Sequence, residues 1–283
     1  MLKAWLTEGQ ICVILSHKYH RRIKMNEMKK SDVFGKLPKE FGEKYGFYYY
    51  NEIDSTNTEA KRLIGAGAKL PFAVVADFQS AGRGRLGRSF FSPSESGLYT
   101  SIAIDPRVSG HNTQTVTAFV ATAVADALDA LDCGVEIGIK WVNDLYVNAR
   151  KICGILCEAG SSNAQNGIDY VIIGIGINLS QKDFPNEIKD IAGSILSCGG
   201  KVPKREELLA KIIENVDQYR NSFIDDYRKR SIVLGKTVKV MDKDAPYTAK
   251  AIEITDNGNL VVQTEDNQIK NIAFGEISVR LDK

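Results

Sequence analysis

The segment Phe78–Ser101, FQSAGRGRLGRSFFSPSESGLYTS, restricts the fold of this 283-residue chain more than any other. Within it, Gly82-Arg83-Gly84-Arg85-Leu86-Gly87 matches G-x-G-x-x-G. That pattern receives a pyrophosphate only when a strand precedes it and a helix opens out of it. Phe72-Ala73-Val74-Val75-Ala76 supplies the strand. The helix is missing: Ser92-Pro93-Ser94-Glu95-Ser96-Gly97 is a run of turn formers, followed at once by a second strand, Leu98–Ile104. The segment therefore reads as a glycine-rich loop between strands that carries Arg83, Arg85 and Arg88. Glycine admits close backbone approach, and guanidinium forks onto phosphate or carboxylate. Such a loop holds an anion or is a solvated basic loop, and the loop alone leaves both open.

Size and charge narrow the class. The length suits one large domain plus a small one, and 43% hydrophobic with 25% charged residues is an ordinary globular balance. A net charge of +2 gives no bulk signal for nucleic acid. The charge is uneven: residues 1–45 hold ten Lys/Arg against five Asp/Glu. Residues 1–43 read as a basic, solvated and partly disordered extension, with Met25 as an alternative start. The five cysteines are odd in number and lack zinc-site spacing, which fits free thiols in a reducing compartment. No apolar run reaches the ~20 residues of a spanning helix, so a cytoplasmic protein without membrane contact is expected.

The chain then reads as alternating elements. Tyr45–Ile53 is an aromatic-rich strand. Asp54-Ser55-Thr56-Asn57 opens a helix to about Ile64, and Thr56 with Glu59 spells a capping box. Capping alone would explain Thr56, while Ser55 and Asn57 leave room for ligand contact. Asn112–Asp132 is a helix with one apolar face and Gly134 beyond its end. Val135–Trp141 and Leu145–Val147 are strands. Asn148-Ala149-Arg150 turns the chain into Lys151–Glu158, a hairpin. Tyr170–Leu179 contains Gly174 and Gly176 on one face, marking close approach by a ligand or another backbone. Residues 180–200 are irregular, with a short helix near Ile188. One long helix is expected over Arg205–Arg230. From Gly235 the period becomes two, with strands Thr237–Asp242, Tyr247–Thr255, Asn259–Thr264 and Gln268–Leu281, suggesting a small SH3-like β-barrel from residue 234. The links within 72–104 and 145–158 are too short for parallel crossovers. The fold class is α+β: a mixed, mainly antiparallel sheet with helices over 44–233, plus the β domain at 234–283.

With these motifs placed, residues 45 to 281 resemble the biotin protein ligases. The resemblance rests on Asp54-Ser55-Thr56-Asn57, Gln79-Ser80-Ala81-Gly82-Arg83-Gly84-Arg85 with Phe91-Ser92-Pro93, and Lys140-Trp141-Val142-Asn143-Asp144-Leu145. Arg150-Lys151-Ile152-Cys153-Gly154-Ile155-Leu156, Gly174-Ile175-Gly176-Ile177-Asn178 and Gly275-Glu276-Ile277-Ser278 follow in family order. The family's catalytic domain is of class II synthetase type. The resemblance implies a ligase that joins biotin to ATP as biotinyl-5'-AMP, with Mg2+, and passes the biotinyl group to a lysine of a biotin carboxyl carrier protein. It makes Lys151 and Arg85 catalytic. It assigns Ser55, Thr56, Asn57, Gln79, Arg83, Gly84, Arg85, Lys151 and Gly154 to biotin. Arg83, Arg85, Arg88, Phe90, Trp141, Asn143 and Asn178 fall to ATP and the adenylate, and Asp144 to the metal. Taken without the resemblance, Lys151 is an ordinary solvated hairpin lysine, and Trp141 is either core or pocket wall.

Two residues depart from the family pattern: Phe90 stands where Trp is usual and Val142 where Pro is usual. The DNA-binding head of repressor-type members is not recognisable in residues 1–43, so DNA is not an expected partner. A homodimer through an edge strand is compatible with the resemblance. The competing readings are a lipoate–protein ligase, which the polar ureido set disfavours, and a DNA- or partner-binding regulator acting through the basic N-terminus.

Overall fold

A computed structural model describes residues 27–109, 112–113, 115–161, 167–218, 222–242, 245–273 and 278–281. In chain order the first elements are α1 (Lys30–Phe34), α2 (Lys39–Lys44), β1 (Gly46–Ile53), α3 (Thr56–Gly65), β2 (Phe72–Gln79), β3 (Gly97–Ile104) and α4 (Pro106–Ser109). Then come α5 (Val116–Ala130), β4 (Gly138–Lys140), β5 (Asp144–Val147), β6 (Arg150–Gly160), β7 (Tyr170–Asn178), α6 (Arg205–Asp217) and α7 (Phe223–Lys229). The last strands are β8 (Thr237–Met241), β9 (Tyr247–Ile254), β10 (Leu260–Thr264), β11 (Ile269–Ile272) and β12 (Ser278–Leu281).

The first seven strands form one sheet in the order β1-β2-β3-β7-β6-β5-β4. Every pairing is antiparallel except β1 with β2, whose connection through α3 is long enough for a parallel crossover. Alternation along the strands divides the sheet into two faces. Phe72, Val74, Ala103 and Ile172 form a small cluster with Ala60 of α3. Ala73, Val75, Ile102 and Ile173 face the main core, which includes α5, α6 and α7. One face is thus sealed by helices, whereas among the described residues the other carries only α3 and is open beside it.

Three expectations change here. Residues 1–26 lie outside the described region, but residues 27–44 are not a solvated extension. Met28, Val33, Phe34 and Phe41 are buried in the main core. Lys36 pairs with Glu207 at 3.4 Å and Lys44 with Asp217, both on α6. Lysine stems beside the apolar residues give a packed segment a basic, soluble composition. The long helix expected over 205–230 is two helices. Gln218 leaves helical geometry at φ −89°, ψ 44°, and α7 starts after Ser222, whose side chain makes no capping bond. Tyr219, placed on the expected apolar face, lies outside the described residues. Residues 186–191 form turns rather than a helix.

β8–β12 form the small antiparallel C-terminal unit, in the order β11-β10-β9-β8-β12. Trp141 fastens it to the larger sheet: the indole is 4% exposed and its Nε1 donates to Gly258 O at 3.0 Å. Arg228 Nε adds a bond to Ile254 O at 2.7 Å.

Candidate active site

The β5–β6 hairpin aims the lysine. Asn148 and Ala149 both take positive φ, 49° and 62°, in the two-residue turn. The register then slips: Tyr146 faces Lys151, but Leu145 faces Cys153 and Asp144 faces Gly154. Ile152 is the extra residue of a bulge. In regular alternation Lys151 and Gly154, three residues apart, would point to opposite faces; the bulge puts them on one. Lys151 Nζ lies 2.7 Å from Asp144 Oδ1, an ion pair at the open face of the sheet. Its backbone is held by residues 191–193, with Lys151 N donating to Ile191 O at 2.8 Å and Gly193 N to Lys151 O at 2.9 Å.

The glycines make room for side chains. A Cβ on Gly176 would stand 2.5 Å from Phe90 Cε1, and one on Gly154 would stand 3.2 Å from both Phe90 Cε2 and Lys151 Nζ. A Cβ on Gly174 would stand 2.1 Å from Asn57 Oδ1. The close approach marked by Gly174 and Gly176 is therefore by protein side chains. Phe90 lies edge-on to Tyr99, 6.4 Å between centroids. Its own N–H donates to Gly82 O at 2.8 Å, and Gly84 N donates to Arg88 O at 2.7 Å, so the arginine loop closes on itself above the seated ring. Leu86 (φ 55°) and Gly87 (φ 72°) turn its tip in the left-handed region.

The start of α3 is built across three strands. Thr56 N donates to Gln79 Oε1 at 2.9 Å, and Gln79 Nε2 donates to Ser92 Oγ at 2.8 Å. Ser101, fully buried on β3, lies with its Oγ 2.8 Å from Thr56 Oγ1 and 2.6 Å from Asn57 Oδ1. Asn57 Nδ2 donates to Glu158 Oε2 at 2.8 Å and reaches Leu156 O at 3.3 Å. The expected capping box is absent. Ser55 is the N-cap without a side-chain bond, and Glu59 instead accepts from Tyr50 Oη and Arg62 Nη1, each at 2.7 Å. Gln79, reaching over from β2, satisfies the amide that a cap would serve.

The two inner arginines of the loop go to different places. Arg83 Nη1 lies 3.4 Å from the Glu158 carboxylate. Arg85 Nη1 donates to Asn143 Oδ1 at 3.1 Å, and Asn143 Nδ2 donates to Ile155 O at 2.6 Å. Arg85 also lines a cavity of about 440 Å³ with Val142, Ile155, Cys157 and Asn257 and Asn259 of the C-terminal unit. Its Nη2 is buried with no hydrogen-bond partner among the described residues. Burial lowers the Arg85 pKa from its ordinary value, with Asp144 opposing. A buried guanidinium nitrogen left open beside a cavity suits an anion.

Three residues stand elsewhere than the resemblance implies. Trp141 fills the joint between the two units rather than an open pocket wall. Asn178, 7% exposed, donates its amide to Gly193 O at 2.9 Å and so holds the segment behind Lys151. Arg88 is exposed beyond the loop tip. Ser101 and Glu158, both central to the arrangement, are absent from the sequence-based set. Neither sits in a recognisable motif role, and only the strand register brings them to Asn57. The Gly275-Glu276-Ile277 motif lies outside the described residues. Among the described residues no group of three His, Cys, Asp or Glu could hold a metal ion, and no helix is long and apolar enough to cross a membrane.

Comparison with known proteins agrees with this architecture. The Biotin/lipoate A/B protein ligase family matches residues 49–178 and the Biotin protein ligase C terminal domain matches residues 233–280. The bifunctional ligase/repressor BirA of Bacillus spizizenii is 30% identical over 284 residues, covering 96% of this chain and 86% of the relative. The biotin–[acetyl-CoA-carboxylase] ligase of Mycobacterium tuberculosis is 29% identical over 223 residues, 74% of this chain and 80% of that one. The biotin protein ligase of Aquifex aeolicus, solved in complex with biotin and ATP, superposes with a TM-score of 0.71 at 31% identity, over 84% of this chain and 99% of that one.

The two matched regions, in this order, define a protein ligase of the biotin/lipoate type. The chain belongs to the biotin protein ligase family, and its function is activation of biotin and transfer of the biotinyl group to protein.

Proposed function

We propose that the open face of the sheet makes biotinyl-5'-AMP and hands its biotinyl group to one lysine of a biotin carboxyl carrier domain. A biotin carboxylate oxygen attacks the α-phosphorus of ATP, and pyrophosphate leaves. The carrier amine, in its neutral form, then attacks the acyl carbon. AMP departs, an amide forms and the amine loses its proton. The first step brings two anions together, so charge neutralisation is the main catalytic task. Lys151 does this at the reacting atoms, with Asp144 orienting it. Arg85 and Arg83 cover the intermediate, with Gly84 allowing close backbone approach, and Arg88 reaches outward to phosphate.

Ser55, Thr56 and Gln79 meet the ureido ring, whose two N–H donors and one carbonyl suit hydroxyls and an amide. Asn57 is committed to Ser101 and Glu158 and so acts by fixing this corner. Gly154 leaves space for the acyl chain and Phe90 walls it. Asn143 presents Arg85, while Trp141 and Asn178 support the nucleotide side from behind. Mg2+ fits here as a metal that arrives with the nucleotide. It would be held through a carboxylate plus phosphate oxygens, and Asp144 would supply that carboxylate without a resident cage. Its chemistry is to shield triphosphate charge. The acceptor is a carrier domain of the acetyl-CoA carboxylase kind. Free cysteines at 133, 153, 157 and 198 accord with a cytoplasmic setting.

The observation that carries this reading is the placement of Lys151 and its Asp144 partner on the open face, beneath the loop that carries Arg83 and Arg85. Pyrophosphate exchange into ATP tests it. Exchange should depend on biotin and not on lipoate; exchange with lipoate alone would overturn it.

A further inference from the structure

The Glu158 carboxylate has more partners than a structural tie requires. Asn57 Nδ2 donates to it at 2.8 Å and Lys61 Nζ at 2.7 Å, which join α3 to β6 and already neutralise its charge. A second cation, Arg83, lies 3.4 Å away and comes from the arginine loop. This contact is longer, and the Arg83 side chain is 45% exposed against 19% for Glu158. It therefore has the character of a contact made and broken, on top of one that is permanent.

The loop is held over the sheet at separated points. Arg83 meets Glu158, and Arg85 meets Asn143, whose amide bonds Ile155 three residues back along β6. Phe90 is seated between the strands at Gly154 and Gly176. Glu158 and Gly154 lie four residues apart on the same face of β6, so Arg83 fastens the loop at the α3 end and Phe90 near Lys151. The ground between them is the surface to which the acyl-adenylate is assigned. We propose that Glu158 is a positioning residue that, through Arg83, holds the arginine loop closed over the acyl-adenylate and slows its release. This rests on the assignment of the loop to the intermediate. It predicts a release rate governed by a carboxylate that touches no substrate atom.

The test is the release rate of biotinyl-5'-AMP from the full chain, measured in E158Q, R83A and the double variant. E158Q keeps the shape and the hydrogen bond to Asn57 while removing the charge. It should speed release about two- to five-fold, the range an exposed ion pair supports. E158Q should add nothing in the R83A background. Equal acceleration by E158Q with and without Arg83 overturns the proposal, because Glu158 would then act through Lys61 and Asn57 alone. Raising the salt concentration reads the same contact without altering Glu158: release should respond more steeply in the unsubstituted protein than in R83A, and equal responses overturn the proposal. R85A separates this from the underlying assignment. If R83A and R85A both leave release unchanged, the loop does not cover the intermediate. If both speed it and E158Q does not, only the role of Glu158 falls.

Discussion

Gly176→Ala tests how the loop is seated. The added Cβ would stand 2.5, 2.8 and 2.9 Å from three atoms of the Phe90 ring. Carbon atoms pack at about 3.5–4.0 Å, so the ring must retreat by about 1 Å. The sheet cannot yield, because Gly176 is paired on one side with Gly154 and on the other with Tyr99. The ring must therefore rise, and it takes the loop with it through the Phe90–Gly82 bond. Overpacking of this kind costs about 1–3 kcal/mol. Here the cost falls on closure of the loop rather than on folding, since Phe90 belongs to a loop that can lift away. At about 1.4 kcal/mol per decade, ligand affinity should fall by roughly 5- to 100-fold. Calorimetric titration with biotin and a non-hydrolysable biotinyl-adenylate measures the loss, and scanning calorimetry should show nearly unchanged unfolding. Phe90→Ala alone should also weaken binding, and combining it with Gly176→Ala should add nothing further. Normal binding by Gly176→Ala, or strictly additive losses in the double variant, would refute the reasoning.

Three further outcomes are expected. Lys151→Ala should reduce adenylate formation by about 10²- to 10³-fold in pyrophosphate exchange with little change in melting, because the side chain is 31% exposed; near-normal turnover removes Lys151 from the mechanism. Trp141→Phe removes the indole bond to Gly258 O and should lower urea-measured stability by about 1 kcal/mol or somewhat more; unchanged stability would mean that other contacts alone join the two units. Burial opposes ionisation of Glu158, but its bonds to Lys61 and Asn57 prevail and hold its pKa below the ordinary 4.5. Its contribution to stability is therefore present above that pH and lost as the pH falls through the lower folded-state value. Glu158→Gln should flatten this part of the acid-unfolding profile, and an unaltered profile contradicts the assignment.

Local pattern carried much of the fold into the sequence. The strand–loop–strand at 72–104, the hairpin at 145–158 and the first three C-terminal strands announce themselves by alternation and turn residues, which act over a few neighbours; the single strand expected over Gln268–Leu281 is instead two, β11 and β12, paired with β10 and β8. The hairpin that carries Lys151 was legible from its turn, but only the family motif singled out the lysine, which is otherwise an ordinary hairpin side chain. The site was illegible where partners come from distant strands. Thr56 and Glu59 spell a capping box, yet Gln79 and Ser101 claim Thr56, and Tyr50 and Arg62 claim Glu59. Ser101 and Glu158 are both brought to Asn57 only through the registers of β3, β7 and β6. Asn178 and Trp141 sit inside family motifs but spend their donors on Gly193 and Gly258, a choice that no periodicity encodes. The break after α6 and the burial of Phe34 and Phe41 were hidden for a related reason: lysines outside and apolar residues inside look alike in composition.

The extra residue in β6 has one more consequence. Because strand side chains alternate, the direction of Lys151 depends on a parity, the number of residues between the turn and Gly154. Pairing the same residues in regular alternation, without the bulge at Ile152, would leave every pocket side chain in the composition and still send the ammonium through to the helical side of the sheet. This hairpin should therefore accept changes of residue that keep the bulge more readily than changes that straighten it.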